Sequence, residues 1–279
     1  MATVTILLLN DIDARSIAAL SERYTAETSP STRLEPQFDL CIACGPLGLP
    51  PSSTSSTSSS SSLRDEGFLS TLITAIENIT SRVIYIPSSA TEPNSTTNKT
   101  VKRHPRLTPN SKNANRVRIP LLKKLGVVGL SQQRLAGQNS DSDSEPDSDD
   151  EDNFVGDALA SELDEISEIV KTGDILAIST VRQGKTDSGN ELHSTIAKAA
   201  AIKGAPFVLV GGEDNGRQDI KSIESVPIIT PGSLRQTGSY VIVHLKSSRS
   251  GSGSSSSGGG FFYEISKSEK RSLKSKVFR

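Results

Sequence analysis

The chain has 279 residues and a formal net charge of -1, so bulk charge points to neither a nucleic acid nor a membrane surface. A hydrophobic fraction of 34%, an aromatic fraction of 4% and the lack of tryptophan exclude one uniformly packed globule of this length. Two cysteines exclude a disulfide scaffold, and no apolar run approaches the roughly 18–20 residues of a membrane span.

The predicted elements begin at Val4–Leu9, an apolar run suited to a strand buried on both faces. It lacks a basic n-region and a small-residue cleavage site, so it reads as a first strand and not a signal peptide. The expectation is a cytosolic or nuclear protein with reduced thiols. Ala14–Tyr24 is an amphipathic helix with Ile17, Ala18, Ala19 and Leu20 towards one side. Phe38–Ala43 is a strand. Leu63–Ile79 is a helix with Phe68, Leu69, Leu72, Ile73 and Ile76 on one face. Val83–Ile86 is a strand stopped by Pro87, and Val117–Leu130 holds one or two strands around Gly126. Ala158–Lys171 (helix), Asp174–Ile178 (strand), Glu191–Ile202 (helix) and Phe207–Val210 (strand) follow. Val226–Ile229, Tyr240–Leu245 and Phe261–Ile265 are closely spaced strands. The alternation predicts an α/β sandwich in a single domain, 1–279, with a substantially parallel sheet.

Four stretches bury too little apolar surface to offset chain entropy and read as disordered inserts: 50–62, 88–115, 138–153 and 247–260. A basic tail covers 267–279. In the acidic insert, Ser140, Ser142, Ser144 and Ser148 each have an acidic residue three places on, a pattern that resembles sites of casein kinase 2. An acidophilic kinase is therefore an expected partner, each phosphate adding about -1.5 to -2 charge. The basic residues of Lys102–Arg118 and of the tail lack interleaved aromatics for base stacking, so no nucleic-acid partner is expected. Cys41 and Cys44 have CxxC spacing. In a strand, residues three apart point to opposite faces, so buried thiols are expected, not a redox pair.

The strand ends carry a further pattern. Leu7-Leu8-Leu9-Asn10-Asp11-Ile12-Asp13, Phe38-Asp39-Leu40-Cys41-Ile42-Ala43-Cys44-Gly45-Pro46 and Arg82-Val83-Ile84-Tyr85-Ile86-Pro87-Ser88-Ser89-Ala90 come first. Phe207-Val208-Leu209-Val210-Gly211-Gly212-Glu213-Asp214 and Val226-Pro227-Ile228-Ile229-Thr230-Pro231-Gly232-Ser233-Leu234-Arg235 follow. In its motifs and their order this series resembles the calcineurin-like metallophosphoesterases. The resemblance implies an αββα sandwich of two mixed sheets with the site at the carboxyl ends of the strands. It also implies hydrolysis of phosphoesters by two metals held by His, Asp and Asn.

Set on those motifs, the chain keeps Asp11 alone. Asp13 stands in the first His slot and Pro46 in the slot of the bridging Asp. Ser89 replaces an Asn and Ala90 a His; Ser179 falls near the next His slot. Gly212 and Asp214 replace the last two His residues. His104, His193 and His244 fall at no ligand position. The expectation is a catalytically inactive member serving as a binding or scaffold module for an unidentified protein partner, with no cofactor. A small member of this superfamily is a subunit of a membrane-trafficking coat. The alternatives are a divergent metal-dependent phosphoesterase, with Asp11, Asp13, Asp214 and Glu213 gathering one divalent cation, and a phosphorylation-regulated adaptor. Asp11 and Asp13 as helix caps are the plain structural reading.

Overall fold

The computed structural model describes residues 3–26, 37–47, 61–87, 108–122, 125–131, 161–180, 188–212, 218–247 and 261–267. The elements run β1 (Thr3–Ile12), α1 (Ala14–Ala26), β2 (Leu40–Leu47), α2 (Ser61–Glu77), β3 (Val83–Pro87), β4 (Ser111–Asn113), β5 (Arg118–Leu122) and β6 (Leu125–Ser131). After a helix at 161–167, α3, come β7 (Ile175–Thr180), α4 (Ser188–Ile202), β8 (Val208–Gly212), β9 (Asp219–Ile223) and β10 (Val226–Thr230). Then follow α5 (Leu234–Thr237), β11 (Val241–Ser247) and β12 (Phe261–Lys267).

Two six-stranded sheets form, in the orders β12-β11-β1-β2-β3-β4 and β5-β6-β7-β8-β10-β9. The second sheet has a parallel centre and an antiparallel strand at each edge, whereas the first is parallel from β1 to the edge strand β4 and antiparallel only on the side of β11 and β12. The alternation along each strand explains the four layers. On β1, Ile6 and Leu8 enter the core between the sheets, against Leu125, Val127, Ala177 and Leu209. Leu7 and Leu9 point the other way and pack with Ile17 and Leu20 of α1 and Leu72, Ile73 and Ile76 of α2. On the far sheet, Leu176, Ile178, Val208 and Val210 turn outward onto Leu163 and Ile166 of α3 and Ile196, Ala197 and Ala200 of α4. The expected αββα sandwich is therefore observed. A strand buried on both faces has no polar side to show, which is why β1 reads as an unbroken apolar run.

The chain passes from the first sheet to the second at residues 113–117. Ala114 N–H donates to the Tyr85 carbonyl at 3.1 Å, and the Gly129 N–H donates back to the Ala114 carbonyl at 3.0 Å. This crossing needs glycine at 129, where a Cβ would lie 2.5 Å from Ile86 Cγ1 and 3.0 Å from the Ala114 carbonyl oxygen. An ion pair between the half-buried Arg118 and the fully buried Asp174 fixes β5 to the start of β7 across β6. The Arg118 guanidinium donates to both oxygens of Asp174, at 2.6 and 2.8 Å, and the Lys171 N–H donates to the same carboxylate at 2.9 Å.

Some expectations need correction. The insert read as 88–115 is too long, since Ser111–Asn113 is β4, paired in parallel with β3. Ser61 and Ser62 lie in α2, Ser247 ends β11 and Lys267 ends β12. β9 and the short α5 were not anticipated. Ala18 is exposed, so α1 meets the sheet through Ile17 and Leu20. The acidic stretch with Ser140, Ser142, Ser144 and Ser148 lies outside the described residues. Among the described residues no helix is long and apolar enough to cross a membrane.

Asp174 is fully buried while the Arg118 side chain is 18% exposed, so removing the carboxylate leaves a guanidinium that water partly reaches and an unpaired Lys171 N–H. Asp174→Ala is expected to lower stability by about 2 kcal/mol, measured by urea unfolding.

Candidate functional site at the carboxyl ends of the strands

The parallel strands of both sheets end at one edge of the sandwich. There β1 carries Asn10, which points into the inter-sheet layer below Leu8 and is fully buried. A buried carboxamide must find partners for both its oxygen and its NH2 group. It finds them on the other sheet. The Gly212 N–H donates to Asn10 Oδ1 at 3.0 Å, and Asn10 Nδ2 donates to the Gly212 carbonyl at 3.3 Å. One side chain thus completes β8 and ties the two sheets together.

This closure depends on glycines. At Gly45, φ is +98° and a Cβ would stand 2.2 Å from Asn10 Oδ1. At Gly211 a Cβ would stand 2.7 Å from the same oxygen and 2.9 Å from the Cys44 carbonyl oxygen. The sheets meet here at backbone distance, and the carboxamide takes the space that remains.

The next residue departs from the strand. Register shifts between Asn10↔Cys44 and Ile12↔Leu47, so Asp11 opposes Gly45 and Pro46 together. At this bulge Asp11 has a φ of 47°. Such a bulge re-aims a side chain, and Asp11 turns towards the Pro231–Arg235 turn. Ser233 Oγ donates to Asp11 Oδ2 at 2.5 Å, and Arg235 Nη2 lies 3.1 Å from Asp11 Oδ1. Ser233 is also the N-cap of α5, accepting from the Gln236 N–H at 2.9 Å. The Asp11 carboxyl is 1% exposed. Burial pushes it above the ordinary carboxylate range, while Ser233 and Arg235 pull it back.

Asp13 has a different task. Its Oδ1 accepts from the Ser16 N–H at 2.7 Å and its own N–H donates to Ser16 Oγ at 3.0 Å, a reciprocal cap on α1. The plain reading of Asp13 as a cap is therefore what the geometry shows, whereas Asp11 caps no helix. Pro46 is buried in the bulge. Gly212 gives only its backbone. Ser179 is fully buried on the inter-sheet face, in register with Ser131 on β6. Neither Oγ has a hydrogen-bond partner among the described residues. Ser89, Ala90, Glu213 and Asp214 lie outside the described residues, as does His104. His193 is in α4 and His244 in β11, whose Nδ1 is 3.3 Å from Thr5 Oγ1.

A two-metal centre needs several free carboxylates and imidazoles converging on one point. At this edge the described side chains include a carboxamide spent on Gly212, a carboxylate held by Ser233 and Arg235, a second carboxylate spent on the cap of α1, a proline and the hydroxyls of Ser131, Ser179 and Thr180. No group of three or more His, Cys, Asp or Glu able to hold a metal occurs among the described residues. These residues do not fit the paired metals.

Asn10, Gly45 and Arg235 stand in the strand-end motifs, but motif matching gave them no role. The available signal was an asparagine closing an apolar strand, which must be buried and hence paired, with glycines at two other strand ends. Cys41 and Cys44 lie on opposite faces of β2, one under the helices and one between the sheets. Both are free and buried. Burial pushes the Cys44 thiol up to about 12, partly offset by the Gly211 and Gly45 N–H groups; Cys41 is pushed up by burial as well.

No protein-family model matches the chain, and no curated protein matches it. Solved structures do match. One, 10% identical, aligns over 88% of this chain and 95% of its own with a TM-score of 0.54. TT1561 of Thermus thermophilus, 14% identical, aligns over 88% and 94% with a TM-score of 0.48. The phosphopantetheinyl hydrolase of Mycobacterium tuberculosis, 10% identical, aligns over 84% and 92% with a TM-score of 0.46. At these identities a likeness concerns the fold alone, and the first of the three supports it.

The packing makes two substitutions informative. Gly45→Ala should cost at least about 2 kcal/mol, since it adds a collision to a strained φ. Gly204→Ala is the control: φ is +60° but the nearest atom to its Cβ is 3.8 Å away, so only the backbone part, about 1 kcal/mol, is expected. Urea unfolding of both variants separates the two contributions. In native protein at pH 8, neither cysteine should react with Ellman's reagent, and both should react in denaturant; fast labelling of the folded chain would show an accessible thiol.

Proposed function

We propose that the chain is a calcineurin-like phosphoesterase fold that does not run two-metal hydrolysis and serves as a binding or scaffold module. The support is the order of strand-end motifs together with the αββα architecture on which they fall. The observation that carries the non-catalytic part is the Asn10 carboxamide, whose two hydrogen bonds to Gly212 close the inter-sheet edge over Gly45 and Gly211. Buried polar groups that are fully paired hold a structure rigid. Freeing Asn10 for chemistry would strand the Gly212 backbone, at about 1–3 kcal/mol.

One observation favours a second reading, a divergent metal-dependent phosphoesterase: Asp11 retains a carboxylate at the end of β1, beside the Pro-Gly-Ser turn. That reading assigns Asp11, Asp13 and Asp214 to a single divalent cation.

Hydrolysis of an aryl phosphodiester by the full chain, with manganese or magnesium at millimolar concentration, separates the two. The first reading predicts no turnover above the metal-only blank. Metal-dependent turnover that Asp11→Ala abolishes would overturn it.

A further inference from the structure

We propose that Arg235 is the built-in cation of this site, its guanidinium supplying to Asp11 the positive charge that a divalent metal supplies in the resembled family. The inference rests on the reading of this edge as a phosphoesterase site that no longer holds its metals. A carboxylate buried as deeply as Asp11 needs either a proton or a compensating charge. Ser233 satisfies Oδ2. Oδ1 has no hydrogen-bond partner among the described residues, and the group set against it is the Arg235 guanidinium, 3.1 Å away. Arginine remains charged at any ordinary pH, so the compensation is permanent.

The backbone holds both halves in place. The bulge aims Asp11 away from its strand. On the other side, Gly232 at φ 79° makes the turn, and Ser233 caps α5. Leu234 is anchored beneath the sheet with the α1 and α2 side chains. Gly238, at φ 67°, ends the helix by donating to the Leu234 carbonyl. Ser233 and Arg235, on either side of a buried leucine, therefore both reach Asp11. The Arg235 side chain is 30% exposed and Asp11 1%. The cation comes in from the solvent side, where an ion would enter. It latches the turn between β10 and β11 onto β1.

The test uses the full chain and manganese as the probe. Melting temperatures are measured in EDTA and in millimolar manganese for wild type, Arg235→Gln, Asp11→Asn and the double variant. Wild type should be unmoved by manganese. Arg235→Gln should melt roughly 4–8 °C lower in EDTA, and manganese should restore most of that loss. The double variant should show no manganese effect, and its loss should be smaller than the sum of the two single losses. If Arg235→Gln is insoluble, refolding yield with and without manganese replaces the melt, with recovery expected only where Asp11 is intact. Unchanged melting of Arg235→Gln, additive losses, or no response of that variant to manganese would each overturn the latch. Those results, with a wild type that ignores manganese, leave the non-catalytic reading standing. A wild type stabilised by manganese through Asp11 overturns both.

Discussion

The pairing of Asn10 with the Gly212 backbone is the constraint on which the site end of this molecule depends. Two sheets packed through apolar side chains are held by contacts without direction, and these alone do not fix how the strand ends meet. The carboxamide adds two directional bonds inside that layer. Once it faces Gly212, residues 45 and 211 must be glycine, because their Cβ atoms would fall on its oxygen. The register of β1 against β2 then slips by one residue, and the bulge delivers Asp11 to the 231–235 turn.

On the proposed reading, Asp11 is a residue kept from the resembled motif but given another task. Its place at the end of a buried parallel strand is the place where the resembled family holds a metal. Here the same place puts the carboxylate against a hydroxyl and a guanidinium supplied two residues apart by one turn. Burying a carboxylate is costly in either case. A protein that gives up its metal must neutralise that charge in another way or lose the carboxylate. The proposed role for Arg235 is the first of these outcomes, and it gives the turn a structural reason for its Ser-Leu-Arg sequence.

Most of the architecture was legible because strands buried on both faces and helices with one apolar face leave strong periodic traces. Val4–Leu9, Val83–Ile86 and Phe207–Val210 were readable for that reason, as was the face of α2 carrying Leu72, Ile73 and Ile76. β4 was not. Ser111-Lys112-Asn113 has no apolar pattern, and it forms a strand only because β3 offers it an open edge and the 113–117 crossing anchors its end. β9 is an exposed edge strand with Asp219 and Lys221 paired at 3.2 Å, so its polarity hid it. At the site, single residues could be matched to motif positions, but their partners could not. The Asn10–Gly212 bonds span 202 residues of sequence and the Asp11–Ser233 bond 222, and local patterning can say that Asn10 is paired but not with which residue.

A crystal structure of the full chain grown in millimolar manganese chloride tests the central claim most directly, because manganese scatters anomalously. Asn10 Nδ2 and Oδ1 should lie against the Gly212 backbone and Arg235 against Asp11, with no anomalous peak at the strand ends. Two anomalous peaks about 3.5–4 Å apart there, the spacing of a two-metal centre, with Asn10 or Asp11 among the ligands, would contradict it.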